Sequence, residues 1–209
     1  MKLAKKCLLG LAGVTLAIAA QADTYTEGFD DLAASGWTLT NNSSPAGLAW
    51  FQGIPEYFAA QSGGAGSYAA ASFLSAANGA GSISNWLISP VLTLGGANTV
   101  SFFARTEATE GYSDTVKVYF SAGTDAATAS FTNLLGTATL STAGWTQYTF
   151  ALPEAATGRV AFEYALSDAA NANLAAIDSV SVSAVPEPTS FALMGLGVLG
   201  LAFLRRRQD

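Results

Sequence analysis

Between residues 23 and 184 the apolar positions recur in short runs, and no long stretch repeats with a helical period. Val116, Val118 and Phe120 alternate with Lys117 and Tyr119. Tyr148, Phe150 and Leu152 alternate with Gln147 and Thr149. Val160, Phe162, Tyr164 and Leu166 alternate with Arg159 and Glu163. A period of two places one set of side chains in a core and the other toward solvent, so each run predicts a half-buried strand. Similar runs fall at 24–29, 36–40, 68–73, 82–88, 91–94, 99–106, 134–140 and 175–183, with Gly, Ser, Asn, Asp and Pro between them. Many short strands with frequent turn signals predict an all-β sandwich or barrel.

The pattern changes at both ends. Residues 1–22 combine Lys2, Lys5 and Lys6 with a 14-residue apolar run from Cys7 to Ala20 and a small-x-small site at Ala20-Gln21-Ala22. These are the parts of a secretory signal peptide, which implies the Sec machinery and signal peptidase as partners. The apolar run is short of the roughly 20 residues that a spanning helix needs. Residues 185–209 begin Val185-Pro186-Glu187-Pro188, continue through an apolar run from Phe191 to Leu204, and close on Arg205, Arg206 and Arg207. The two prolines hold the backbone extended and deny it regular pairing. As a helix the apolar run would be about 21 Å long, a short transmembrane helix. Three arginines fix its orientation by remaining cytoplasmic.

Composition narrows the chemistry of the segment between these ends. Residues 23–184 hold thirteen carboxylates against Arg105, Lys117 and Arg159, a net charge of −10, with no His and no Cys. Ser-His-Asp and Cys-His nucleophile systems are thereby excluded, as are zinc sites built from His and Cys. Nucleic acid is not an expected partner, because phosphate binding needs clustered Lys and Arg. The one ion class that suits the remaining ligands is a hard cation bound through oxygen.

Two resemblances carry this further. Pro186-Glu187-Pro188, the apolar run and the Arg cluster resemble the PEP-CTERM sorting signal. That resemblance implies recognition by an exosortase-type membrane transpeptidase. The protein would be held transiently in the inner membrane of a Gram-negative bacterium and then delivered to the cell surface or extracellular matrix. Glu27-Gly28-Phe29-Asp30-Asp31, Gly36-Trp37, the run Asn85 to Leu92, Val100 to Thr106, Val160 to Tyr164 and Ala176 to Val182 resemble choice-of-anchor J domains. This second likeness spans nearly all of 23–184 and implies a jelly-roll β-sandwich akin to cleaved-adhesin and MAM-type modules. Ser179 departs from the pattern, since an acidic residue often follows the position of Asp178 in such domains.

Asp178 shares the strand parity of Val180 and Val182, and Glu27 that of Tyr25 and Phe29, which would turn both carboxylates inward. A carboxylate on a core face needs partners. The first and last strands of a jelly roll are often neighbours, so Glu27, Asp178 and Asp30 could share a structural calcium. Hydrogen bonds to loop amides or water at the rim are the alternative. Glu107, Glu110 and Asp114 form an acidic stretch after the 99–106 strand, with Tyr112 among them as a possible sugar-stacking ring and Arg105 as a possible carboxylate partner. Trp86 and Trp145 are expected in the core, while Trp50, beside Phe51 in a loop-like stretch, is the expected exposed platform. These features predict an exported, non-catalytic adhesion module associated with exopolysaccharide or biofilm. The alternatives are a carbohydrate-active enzyme using carboxylates alone and a matrix protein without a ligand.

Overall fold

The computed structural model describes residues 24–185. The leader, Pro186, Glu187, Pro188, the apolar run and Arg205, Arg206 and Arg207 lie outside the described residues. Twelve strands follow in order: β1 (Tyr25–Glu27), β2 (Thr38–Asn41), β3 (Phe51–Gln52), β4 (Ala69–Ser72), β5 (Ile83–Ile88), β6 (Leu92–Thr93), β7 (Asn98–Arg105), β8 (Thr115–Ala122), β9 (Asn133–Thr139), β10 (Thr146–Leu152), β11 (Thr157–Leu166) and β12 (Leu174–Ala184). Among the described residues helical structure is limited to four 3-10 turns of three residues each. None of it is long and apolar enough to cross a membrane.

The strands form two antiparallel sheets. Sheet I runs β10-β7-β12-β4-β3, with β1 also paired to β12, and sheet II runs β2-β5-β11-β8-β9, with β6 also paired to β11. First and last strands are therefore neighbours, with Tyr25 opposite Val182 and Glu27 opposite Val180. The expected all-β sandwich is what forms.

Aromatic rings fill the space between the sheets. Trp37 stacks on Phe162 with centroids 5.9 Å apart, and Phe29 meets Trp37 edge-on at 5.3 Å. Phe102 meets Phe162 edge-on at 4.7 Å. Val116, Val118, Phe120, Val160, Phe162 and Tyr164 all lie in this core, as their alternation requires. With no disulfide available to residues 23–184, large rings supply the buried area that holds the two sheets together.

Each sheet also carries a covered outer face. On sheet II, Trp86, Ile88 and Ala161 pack with Phe131. Trp86 is buried as expected, and it anchors this outer cluster while its neighbour Leu87 turns in between the sheets. On sheet I, Tyr68, Ala70, Leu174 and Ala176 pack with Phe58 and a half-buried Trp145. The 53–67 loop closes over that cluster. β4 is consequently buried on both faces, and only side chains as small as those of Ala69, Ala70 and Ala71 occupy it.

Candidate functional site

The outer face of sheet I is covered at one end and open at the other, and Asp178 marks the boundary. Ile177 and Val180 both lie in the central core, although they are three positions apart. A bulge between Asp178 and Ser181 makes this possible, with Ser179 at φ +50°. One extra residue reverses the facing of everything before it. Asp178 is thereby turned away from the core and onto the outer face, which corrects the parity expectation.

There Asp178 is fully buried beneath the 53–67 loop. Its Oδ2 accepts the N–H of Gln61 at 2.7 Å and of Ser62 at 3.1 Å, and its Oδ1 accepts the N–H of Ser179. Burial pushes its carboxyl group above the usual range, and these amide donors pull it back. The loop has other fastenings. Tyr68 Oη donates to Ile54 O at 2.6 Å and accepts from Ile54 N at 3.0 Å, and Trp145 Nε1 donates to Ala59 O at 3.0 Å. Arg105 lies over the Phe58 ring, 4.0 Å from its centroid, so its expected carboxylate partnership is replaced by a cation–π contact.

Beyond the loop edge lies a shallow groove of about 520 Å³. Its floor is the outer face of β1, β12, β7 and β10, presenting Ser181, Ser101, Phe103 and Gln147. Glu27, Asp30, Ser62 and Gly63 border it, with Asp30 joined to the loop through Ser67. The sheet register aligns a row of hydroxyls across the floor: Thr26 is opposite Ser181, Ser181 opposite Ser101, and Ser101 opposite Thr149. Cross-strand neighbours of this kind lie about 4.8 Å apart. Phe103 adds one half-exposed ring to an otherwise polar surface.

Glu27 and Asp30 both line the groove, whereas Asp178 is buried beside it and committed to loop amides. Glu27 Oε1 accepts the Phe29 N–H at 2.7 Å, holding a turn in which Phe29 has φ +52°. Asp30 Oδ1 accepts Ser67 Oγ–H at 2.6 Å. Among the described residues no three acidic side chains gather to hold a metal ion. Asp178 spends its oxygens on the Gln61, Ser62 and Ser179 amides and does not join Glu27 and Asp30 in such a group.

Trp50 is also corrected. Its side chain lies in the central core with 2 % of its surface exposed, and its Nε1 donates to Asn85 O at 3.0 Å. It borders a shallow cavity of about 460 Å³ between β2 and β3 but presents no platform. Tyr112 is 37 % exposed in the β7–β8 loop and lies outside the groove. Of the acidic stretch around it, Asp114 is not on the surface at all. It is fully buried and accepts bonds from Thr106 Oγ1 at 3.0 Å, Asn173 N at 3.1 Å and Tyr164 Oη. Sequence reasoning missed Ser101, Phe103 and Gln147, whose outward parity in strands 99–106 and 145–152 was visible but whose adjacency was not.

Two antiparallel sheets with a groove on one outer face define a β-sandwich module. Residues 23–182 match the Cleaved Adhesin Domain family, and the chain belongs to that family. Residues 184–207 match the PEP-CTERM protein-sorting motif, which implies an exported, exosortase-processed surface protein. No curated protein matches the chain. Among solved structures, the K1 Cleaved Adhesin domain of Lys-gingipain from Porphyromonas gingivalis W83 is 25 % identical, covers 78 % of this chain and 99 % of its own, and has a TM-score of 0.64. The K3 domain of the same protein is also 25 % identical, with 79 % and 99 % covered and a TM-score of 0.61. The CBM22-2 xylan-binding domain of Paenibacillus barcinonensis Xyn10C shares the fold at 12 % identity, with 77 % and 99 % covered and a TM-score of 0.51.

Proposed function

We propose that this protein is a non-catalytic adhesion module that binds polysaccharide in the groove of sheet I. The observation that carries this reading is the groove floor, where a cross-strand row of hydroxyls runs beside Gln147 and the Phe103 ring. Sugars need that combination: hydroxyls and amides exchange hydrogen bonds with them, and an aromatic face covers their C–H surfaces. The groove is open and shallow, so a polymer could pass through without chain ends. Exosortase would act on the motif that begins at Val185, the exposed residue following β12. An exopolysaccharide-rich matrix is the setting this predicts.

Catalysis has little support in the groove. Its two carboxylates, Glu27 and Asp30, come from one turn after β1 and already hold a turn amide and a serine hydroxyl. A glycosidase needs its carboxyl groups on opposite sides of the scissile bond.

The test is binding of the exported protein to a panel of soluble neutral, acidic and amino polysaccharides by calorimetry. Phe103→Ala and Gln147→Ala should each weaken binding roughly tenfold, the loss of about one good contact. Running the panel in calcium and in EDTA measures any ion contribution at Glu27 and Asp30. If no polymer binds, or if both variants bind as the wild type does, the groove reading fails.

A further inference from the structure

We propose that this protein pairs with a second copy of itself through β10, edge to edge and antiparallel, with Thr149 facing Thr149 of the other copy. The inference does not depend on what the groove binds.

Edge strands expose unpaired backbone groups, and folded proteins blunt them with shortness, bulges, charges or proline. The other edges here are blunted. β1, β2 and β3 have three, four and two residues. β9 has seven, but its register with β8 shifts between Val118 and Tyr119. β10 has none of these protections. It is seven residues long, TQYTFAL, with no charge and no proline, and it pairs with β7 without a break from Thr146 to Leu152. Its composition is rich in the β-branched and aromatic residues that favour strands.

The free hydrogen-bonding groups of β10 can be identified. The Val185 N–H donates to Ala97 O, so residue 97 faces β12, and by alternation so do Thr99, Ser101 and Phe103. The even-numbered residues of β7 then bond to β10, through Thr146, Tyr148, Phe150 and Leu152. Gln147, Thr149 and Ala151 are left with N–H and C=O directed outward, and all three residues are exposed.

This set is self-complementary. An antiparallel pair centred on Thr149 places Gln147 opposite Ala151 of the second copy, so every free group meets a free group in register. Tyr148 comes opposite Phe150, an aromatic cross-strand pair on the inner face. No charged side chain lies within the paired segment, so the net charge of −10 on each domain acts only at longer range and is screened by salt. The pairing would also join the two hydroxyl rows, since Thr149 ends the row in each copy.

The test uses the full chain with Cys7→Ser, in which Thr149→Cys supplies the sole thiol. Residues in a hydrogen-bonded antiparallel pair have Cα atoms about 5.5 Å apart, within disulfide range. Diamide should convert this variant to a covalent dimer many times faster than it converts Ala143→Cys, a thiol in the exposed β9–β10 loop. Sedimentation of the wild type should show a dimer that strengthens with salt. Thr149→Lys sets two like charges opposite each other, and Ala151→Pro removes one outward donor. Both should be monomeric with thermal midpoints close to that of the wild type. A wild type that stays monomeric up to about 1 mM, or equal cross-linking at positions 149 and 143, overturns the proposal.

Discussion

Gln61 and Asp178 are 117 positions apart, and the Gln61 N–H donates to Asp178 Oδ2 at 2.7 Å. This bond, with its companion from Ser62 at 3.1 Å, fastens the 53–67 loop to the last strand and forms one wall of the groove. Replacing Asp178 with Ala leaves two loop amides without their acceptor. Urea unfolding should show a loss of about 1–3 kcal/mol. Limited proteolysis should cut first within 53–67, before any cut in the sheets. Equal protection of that loop in the variant and the wild type would contradict its fastening by Asp178.

Trp50→Ala should behave as a core truncation. The indole is buried between the sheets and gives its only N–H to Asn85 O. A destabilisation of about 3–5 kcal/mol is expected, with Trp50→Phe retaining part of it. Polysaccharide affinity of the folded fraction should be unchanged. A stable Trp50→Ala protein that fails to bind would restore the platform reading.

Two phenols, half-buried Tyr25 and fully buried Tyr164, make the fold sensitive to alkali. Burial pushes Tyr25 from 10.0 up to about 12, and burial beside the Asp114 carboxylate pushes Tyr164 up as well. Between pH 10 and pH 12 the unfolded chain loses protons that the native state keeps. Stability is therefore full below pH 10 and falls as pH rises toward 12. Unfolding free energies measured across this interval should decline, and Tyr25→Phe should flatten the decline. Absorbance at alkaline pH should show Tyr164 ionising only as the sheets unfold.

Processing should depend on the sorting residues and not on the domain. Pro186→Ala with Pro188→Ala should leave the chain exported but uncleaved, recovered with the membrane fraction. Replacing Arg205, Arg206 and Arg207 with Ala should reduce retention before cleavage. Unchanged surface delivery in the proline variant would exclude exosortase recognition through this motif.

Much of the architecture was legible because strand alternation is a local property. Val116 to Phe120 read as a half-buried strand and form one, whereas Val160 to Tyr164 form a strand buried on both faces, because Ala161 lies under the outer cluster and Glu163 is buried beside Ser84 and Tyr119. The same rule failed at Asp178, where one inserted residue reversed the parity that Val180 and Val182 had set. It failed for Trp50 and Asp114, whose loop-like sequence surroundings gave no sign of burial. The nearness of the first and last strands did follow, with Glu27 opposite Val180, but no pattern in the sequence showed that Asp178 would be taken up by the Gln61 and Ser62 amides.

The sequence by itself determined the two ends, the acidic domain without His or Cys, and the division into short strands. These depend on composition and on neighbours within a few positions, which any chain of this order must keep. Only the tertiary structure decided which strand lies beside which. That alone put Thr26, Ser181, Ser101 and Thr149 in one row, left β10 at a free edge, and closed a distant loop over Asp178. Register and burial are set by contacts between segments far apart in the chain, such as Ser101 with Thr149 or Gln61 with Asp178, and no local pattern encodes them.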